Sequence, residues 1–500
     1  MDMKDWLRLR PYLHISPRLG GKNLKATKCY ISSYVKKKEN IAAHRFSPLL
    51  HYKIVDHRYK RDKNNIIEGG KVGRSYKAKI RPIYYPNHLD AQIFAYYSHL
   101  IEKKLNPIYE SNVDLNNSVI GYRAIRFDEH RNKCTIDFAK EVFDFISTNE
   151  ACELSVVCLD ITSFFDNLDH KKLKQSWGKL FDQNILDIDH YQVFRAVTNA
   201  SYVDLEELIP LIPDFDKQKV TLLKNSKYKS LFKTFPQFRS IIYQHKLLRR
   251  YDSKNEKKGI PQGTPISATL SNLYFLNADI EITKMASTVK GLYRRYSDDI
   301  LLVLPTEHID WAICKIKEII ENDLWLELQD KKTISAHLSR ENIDLPWNIK
   351  VCDWQNCVMD KPISYLGFDF DGKNIRIRNS SISKYYRSLK RAIRRRAFYA
   401  RVQVAKNKSA EIKKDAWLFR AGIFRGKTHL GAARKKVNGK VFWGNYISYA
   451  HTAARIMGNE ASVGINKQMK NHWKVVTREI KKFETAYNLP KAPKATRYTK

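Results

Sequence analysis

The chain has 500 residues, 43% of them apolar and 12% aromatic, which is material for two to four packed domains and excludes an extended disordered polymer. Ninety Lys and Arg stand against 52 Asp and Glu, a net charge of +38. Such an excess costs self-repulsion unless a polyanion takes it up, so nucleic acid is the expected partner and an anionic membrane surface the competing one. No apolar run of spanning or secretory length occurs, so a cytoplasmic protein with no membrane partner is expected. Seven cysteines, at 29, 134, 152, 158, 314, 352 and 357, form no CxxC pair and have no His or Cys partners at zinc spacing. Reduced thiols and no structural zinc are therefore expected.

Residues 1–73 read as a basic N-terminal extension, charge-dense at HRYKRDKNN (57–65). KAKIRPIYYP (77–86) reads as a strand ending at its proline, followed by an apolar-periodic helix over 89–105 and a second helix over 135–146. ELSVVCLDI (153–161) is a short apolar, β-branched run and reads as a buried strand. Largely helical stretches follow at 170–200 and 216–250, and PQGTPIS (261–267) is a turn that opens a helix over 268–282. GLYRRYSDDILLVLP (291–305) reads as a hairpin broken at Ser297-Asp298-Asp299. A helix over 311–322, a strand over 325–329 and a hairpin at ISYLGFDFDG (363–372) come next. The stretch 384–408 is a basic helix with aromatics interleaved, and 489–500 has the composition of a disordered tail.

Asp160 ends a buried strand, and Asp298 and Asp299 stand at a hairpin tip. Taken singly, a strand-end Asp is a cap and an Asp pair is a turn signal. They are candidates for the carboxylates that two-metal nucleotidyl transfer needs on rigid elements meeting at a sheet. What raises them above turn residues is the occurrence of further motifs in order along the chain. Neighbouring side chains on a strand point to opposite faces, so only the bend of the turn can aim both Asp298 and Asp299.

YSDD (296–299) resembles the YxDD box of reverse transcriptases, and LDITSFFDNLDH (159–170) resembles the first catalytic block of their bacterial group II intron and retron branch. GIPQGTPISATLSNLYF (259–275), KKT (331–333), YLGF (365–368) and IRPIYYP (80–86) are similar to further blocks of that family, in its order, over about 74–370. No cysteine lies beyond 357, so the endonuclease cluster of many group II intron proteins is missing. The tail, with FWGNYISYAHTAARIMG (442–458) and NKQMKNHWKVVTREIKKF (466–483), looks most like the defence-associated bacterial enzymes.

The resemblance implies an α+β right-hand polymerase. Fingers and palm with an antiparallel sheet would fill 74–375, an α-helical thumb 376–410, and a helical C-terminal domain 411–500. It implies Mg²⁺, with Mn²⁺ as the alternative, at Asp160, Asp298, Asp299 and the main chain of Ile161. Lys79, Arg81, Gln262, Gly263 and Lys332 would meet the nucleotide, with Phe165 as a gate against a 2′-hydroxyl and neighbouring Phe164 as plain core. Tyr296, Tyr365, Leu366 and Gly367 would meet primer or template, as would Arg391, Arg394, Arg395 and Arg396; the helix aromatics Tyr385, Tyr386, Phe398 and Tyr399 read as core. The implied partners are an RNA template, dNTPs and a DNA product. Protein-primed or template-independent synthesis, an RNA-binding or splicing scaffold on the same fold, and homo-oligomers stay open.

Overall fold

The computed structural model describes residues 5–489 except 11, 17, 18, 20–22, 68–70, 213–229, 233, 253, 255, 330, 331, 353–357, 407–419, 421, 430–434, 438, 439 and 443. At 57–67, 71, 72, 74, 76, 77, 358, 403–406, 435–437, 440–442 and 459–461 it describes the backbone alone. Cys357, Lys331, most of the tail at 489–500 and much of the 216–250 stretch therefore lie outside it.

The strands are β1 (Leu49–Ile67), β2 (Lys71–Tyr85), β3 (Glu153–Asp160), β4 (Ser201–Asp204), β5 (Arg249–Arg250), β6 (Leu292–Tyr296), β7 (Asp299–Pro305), β8 (Ile334–Ser339) and β9 (Asn348–Cys352). They continue as β10 (Val358–Asp360), β11 (Ile363–Tyr365), β12 (Phe368–Phe370), β13 (Ile375–Ile377), β14 (Lys435–Val437) and β15 (Lys440–Phe442). With the helices between them they make a mixed α+β chain of two units.

The first unit comprises Met1–Arg123, Leu159–Leu301 and Asp310–Lys332. β1 and β2 form a long antiparallel ribbon in register from Leu50↔Tyr85 to Arg61↔Arg74. The base of β1 runs parallel to β4, and β5 closes the order β2-β1-β4-β5. Leu13, Leu50, Val203, Leu208, Phe238 and Ile242 form a core there. Helix Ser267–Thr288 is buried on every side over its first half, with Leu270 and Phe275, and on one face over its second, with Ala278 and Ile282, while Ile280 and Lys284 are exposed. Helix His88–Glu110 meets it through a hydroxyl contact of Ser98 with Thr269 at 2.6 Å. The end of β3 and the β6–β7 hairpin lie in the strand order β3-β7-β6.

The second unit comprises Ala124–Cys158, Leu302–Ile309 and Thr333–Lys500. Here β3 pairs antiparallel with β8 from Leu154↔Leu338 to Cys158↔Ile334, and β9 and β10 extend the sheet. β11-β12-β13 form a separate antiparallel sheet, on which Phe370 stacks with Phe143 of helix Thr135–Thr148 at 5.3 Å. The long helix Asn379–Lys406 buries Leu389, Ile393 and Ala397 in one core with Val476 and Ile480 of helix His472–Ala486. Among the described residues no helix is long and apolar enough to cross a membrane.

Two expected elements differ. The strand expected at 325–329 is absent: Trp325 is left-handed (φ +52°), a conformation no strand tolerates, and only Leu328 bridges, to Ile161. The helix expected over 311–322 is Ile309–Glu318, which widens into a π-turn at Ile319–Asp323. β1 went unread because HRYKRDKNN (57–65) carries charge at both odd and even positions, which erases the alternation that marks a strand.

Candidate active site

Three segments of the first unit bring the acids together. β3 is apolar and largely buried up to Asp160, whose side chain keeps 17% of its surface. Past that point the chain is stitched to 327–329: Gln329 N–H donates to the Asp160 carbonyl and Thr162 N–H to the Glu327 carbonyl, both at 2.8 Å. Ser163 then turns left-handed (φ +43°) into the short turn Phe164–Asp166. At the hairpin, Ser297 is also left-handed (φ +62°), so Asp298 sits in the bend and Asp299 opens β7. A bend of this kind allows adjacent acids to escape the opposed faces of a straight strand.

The charges of these groups act on one another. Lost hydration, then Asp298 and Asp160, raise the Asp299 carboxyl from 3.8 to about 6, against the pull of Lys332 and Lys79. A turn in which Lys332 N–H donates to the Gln329 carbonyl (2.9 Å) swings the Lys332 ammonium onto Asp160 Oδ1 at 2.6 Å. Among the described residues no three His, Cys, Asp or Glu side chains are grouped as a metal site, and Asp160 is engaged by Lys332. The donor set nonetheless fits a hard divalent cation: it is all oxygen, and the mutual repulsion that lifts Asp299 is what such a cation relieves. Asp160, Asp298, Asp299 and the main chain at Ile161 would hold it.

Phe165, Gln262 and Gly263 line a cavity of about 730 Å³, together with Ile83 and Tyr85 of β2 and Arg10 and Tyr12 near the N-terminus; none of the three acids is in its lining. Residues 79, 81, 83 and 85 alternate onto one face of β2. That face thus runs from the cavity wall at Tyr85 and Ile83 to the exposed Arg81 and to Lys79, whose charge acts on Asp299. Phe165 is half-buried and held by Ile260 N–H donating to its carbonyl at 2.8 Å. Phe164 is core, packed edge-on to Phe275 at 5.5 Å, as expected. Gly263 (φ +115°) lies so close to β2 that a Cβ would stand 2.6 Å from the Tyr84 carbonyl, while Tyr84 N–H donates to the Gln262 carbonyl at 2.8 Å. Tyr296 is half-buried, its ring 6.2 Å from that of Tyr122.

The remaining expected residues belong to the second unit. Tyr365 is buried, and Leu366 (φ +43°) and Gly367 (φ +92°) form the tight turn between β11 and β12. Arg391, Arg394, Arg395 and Arg396 are exposed on helix Asn379–Lys406, and the Arg396 guanidinium lies against Gly422. The helix aromatics divide. Tyr385 is core, but Phe398 and Tyr399 are 51% and 62% exposed, because they fall on the face away from Leu389, Ile393 and Ala397. Sequence reasoning missed Arg295 and Asp279, which form an ion pair with no exposed surface. The available signal was a pair of arginines, Arg294 and Arg295, inside the largely buried strand LYRRY.

No protein-family model matches the chain, and no curated protein matches it. Among solved structures it is similar to a C-terminally truncated apo telomerase from Candida tropicalis, with 13% identity and a TM-score of 0.37 over 70% of this chain and 58% of that one. It is also similar to a telomerase from Candida albicans in complex with a TWJ fragment of telomeric RNA, with 13% identity and a TM-score of 0.37 over 92% and 67%. The corresponding complex from Candida tropicalis gives 12% identity and a TM-score of 0.36 over 93% and 70%. Likeness this loose carries no argument about fold or function.

Proposed function

We propose that the chain is an RNA-directed DNA polymerase that adds deoxynucleotides to a primer with two divalent metals, Mg²⁺ or Mn²⁺. One observation carries this reading: Asp160, Asp298 and Asp299 interact as charges, with Lys79 and Lys332 beside them. A scaffold gains nothing from clustered acids next to nucleic-acid phosphates, whereas phosphoryl transfer needs them.

In this reading Lys79 and Arg81 bind the triphosphate through charge-assisted hydrogen bonds, and Lys332 leaves Asp160 to meet the departing pyrophosphate. Phe165 lies under the sugar and leaves no room for a 2′-hydroxyl. Gln262 and Gly263 lie against the nucleotide, Gly263 because its backbone comes close without a side chain. Tyr296 seats the primer end. When bound, the metals would supply an activated primer hydroxyl and neutralise the triphosphate. The exposed Arg391, Arg394 and Arg395 bind phosphates of the nucleic acid, and so does Arg396 where its contact with Gly422 allows. Tyr365, Leu366 and Gly367 shape the hairpin that grips the primer. The template is a dedicated structured RNA in a cytoplasmic antiviral role, an assignment that rests on the likeness of the C-terminal helices at 442–458 and 466–483.

The test is primer extension by the purified chain on RNA with Mg²⁺, beside the double variant Asp298→Ala, Asp299→Ala. Extension by the wild type alone, with RNA binding kept by the variant, is expected. No product from the wild type on any RNA or DNA template would sink the reading.

A further inference from the structure

Ser297, directly before the two acids, holds φ at +62°, a conformation costly for a residue with a Cβ. Such strain persists only where the surroundings over-determine it. Arg295 does much of this. Wholly buried, it donates from Nη1 to the Ser297 carbonyl at 3.1 Å. Its other nitrogens close on Asp279, Nε to Oδ1 at 2.7 Å and Nη2 to Oδ2 at 2.5 Å, and Nη2 also reaches Asn272 Oδ1 at 3.2 Å. The guanidinium lies over the Phe275 ring at 4.6 Å.

The opposite side of the tip is closed as tightly. The Arg295 carbonyl accepts from Ile120 N–H at 3.1 Å and Gly121 N–H at 3.2 Å, and Asn272 Nδ2 donates to the Gly121 carbonyl at 3.0 Å. Gly121 passes so near that a Cβ would stand 2.5 Å from the Ser297 nitrogen. The hairpin tip is thus clamped between Arg295 and Gly121.

A buried ion pair is a weak explanation of stability, since desolvation offsets most of the attraction and an apolar pair of similar volume often does as well. An apolar pair could not hold a carbonyl. Nor could lysine serve three acceptors on different sides, because it carries one nitrogen where arginine carries a rigid fork of five donors.

Resting on the polymerase reading above, we infer that Arg295, itself held by Asp279 and Asn272, is a positioning residue that sets the aim of Asp298 and Asp299 through the Ser297 carbonyl. It touches no reacting atom.

The test compares Arg295→Lys with Tyr293→Phe. Tyr293 donates to the same Asp279 Oδ1 at 2.8 Å, so its variant perturbs the cluster from the side that does not hold the tip. Arg295→Lys should lower kcat by about 100-fold while KM for dNTP stays within about threefold, and Tyr293→Phe should lose Tm but not kcat. Loss of kcat in step with Tm in both variants would overturn the inference, as would an Arg295→Lys that polymerises normally. If Arg295→Lys does not fold, Gly121→Ala presses on the tip without touching the ion pair. The same kcat loss at steady KM is expected there, and an unchanged kcat overturns the inference. A wild type that incorporates no nucleotide at all overturns the polymerase reading itself.

Discussion

At Gly263 both the backbone angle (φ +115°) and the 2.6 Å gap to the Tyr84 carbonyl exclude a side chain. Gly263→Ala should therefore cost roughly 1–3 kcal/mol in stability and push the Pro-Gln-Gly turn off β2, so thermal unfolding and nucleotide incorporation should both fall. Phe165 lines the cavity beside that turn, and its backbone is fixed by Ile260. Phe165→Ala should raise incorporation of ribonucleotides relative to deoxynucleotides by about tenfold or more, read by competition in primer extension; an unchanged ratio would return Phe165 to plain packing. The acids were legible as candidates from their places at a strand end and a hairpin tip, and the two cations only through the resemblance of the segments that carry them. Arg295 and Asp279 were not: 16 residues separate them, and nothing local says that a helix and a hairpin will bury them against each other.

The segment 12–16 is tied down as an element. Tyr12 donates to the Pro86 carbonyl at 2.9 Å and stacks on His88, and His14 Nε2 donates to the Tyr85 carbonyl at 3.2 Å. Burial, with His88 nearby, lowers His14 from 6.5 to about 3, and its buried Nδ1 has no partner among the described residues. Unfolded, His14 takes up a proton near pH 6.5; folded, it does so only near pH 3. Its contribution to stability is thus complete above pH 6.5 and is lost as pH falls, by roughly 2 kcal/mol between pH 6.5 and 5. Urea midpoints should drop over that interval in the wild type, and His14→Gln should flatten the dependence. Helices and strands with one apolar face were readable from periodicity. β1 was not, since charge at both odd and even positions over 57–65 hides the alternation that its pairing with β2 would show.

For the whole molecule, a net charge of +38 predicts nucleic-acid binding that is steeply sensitive to salt. Affinity for single-stranded RNA should fall roughly 100-fold or more between about 50 and 200 mM salt if six or more phosphates are met. Replacing Arg391, Arg394 and Arg395 together by alanine should reduce the log–log slope by about 0.7 per arginine, measured by fluorescence anisotropy. An unchanged slope would make that exposed face a solvated surface.

The sequence by itself determined which short elements bear the candidate side chains, because element type depends on residue type, spacing and local periodicity. It settled Asp160 at a strand end, Asp298 and Asp299 at a hairpin bend, and a glycine-bearing turn between them in the chain. The tertiary structure decided what each residue faces. It seated Lys332 on Asp160, buried Arg295 against Asp279, exposed Phe398 and Tyr399, and replaced an expected strand at 325–329 with an irregular segment that opens on a left-handed Trp325. Those outcomes depend on which surfaces meet across long stretches of chain, and burial, partner and charge coupling exist only once they have met.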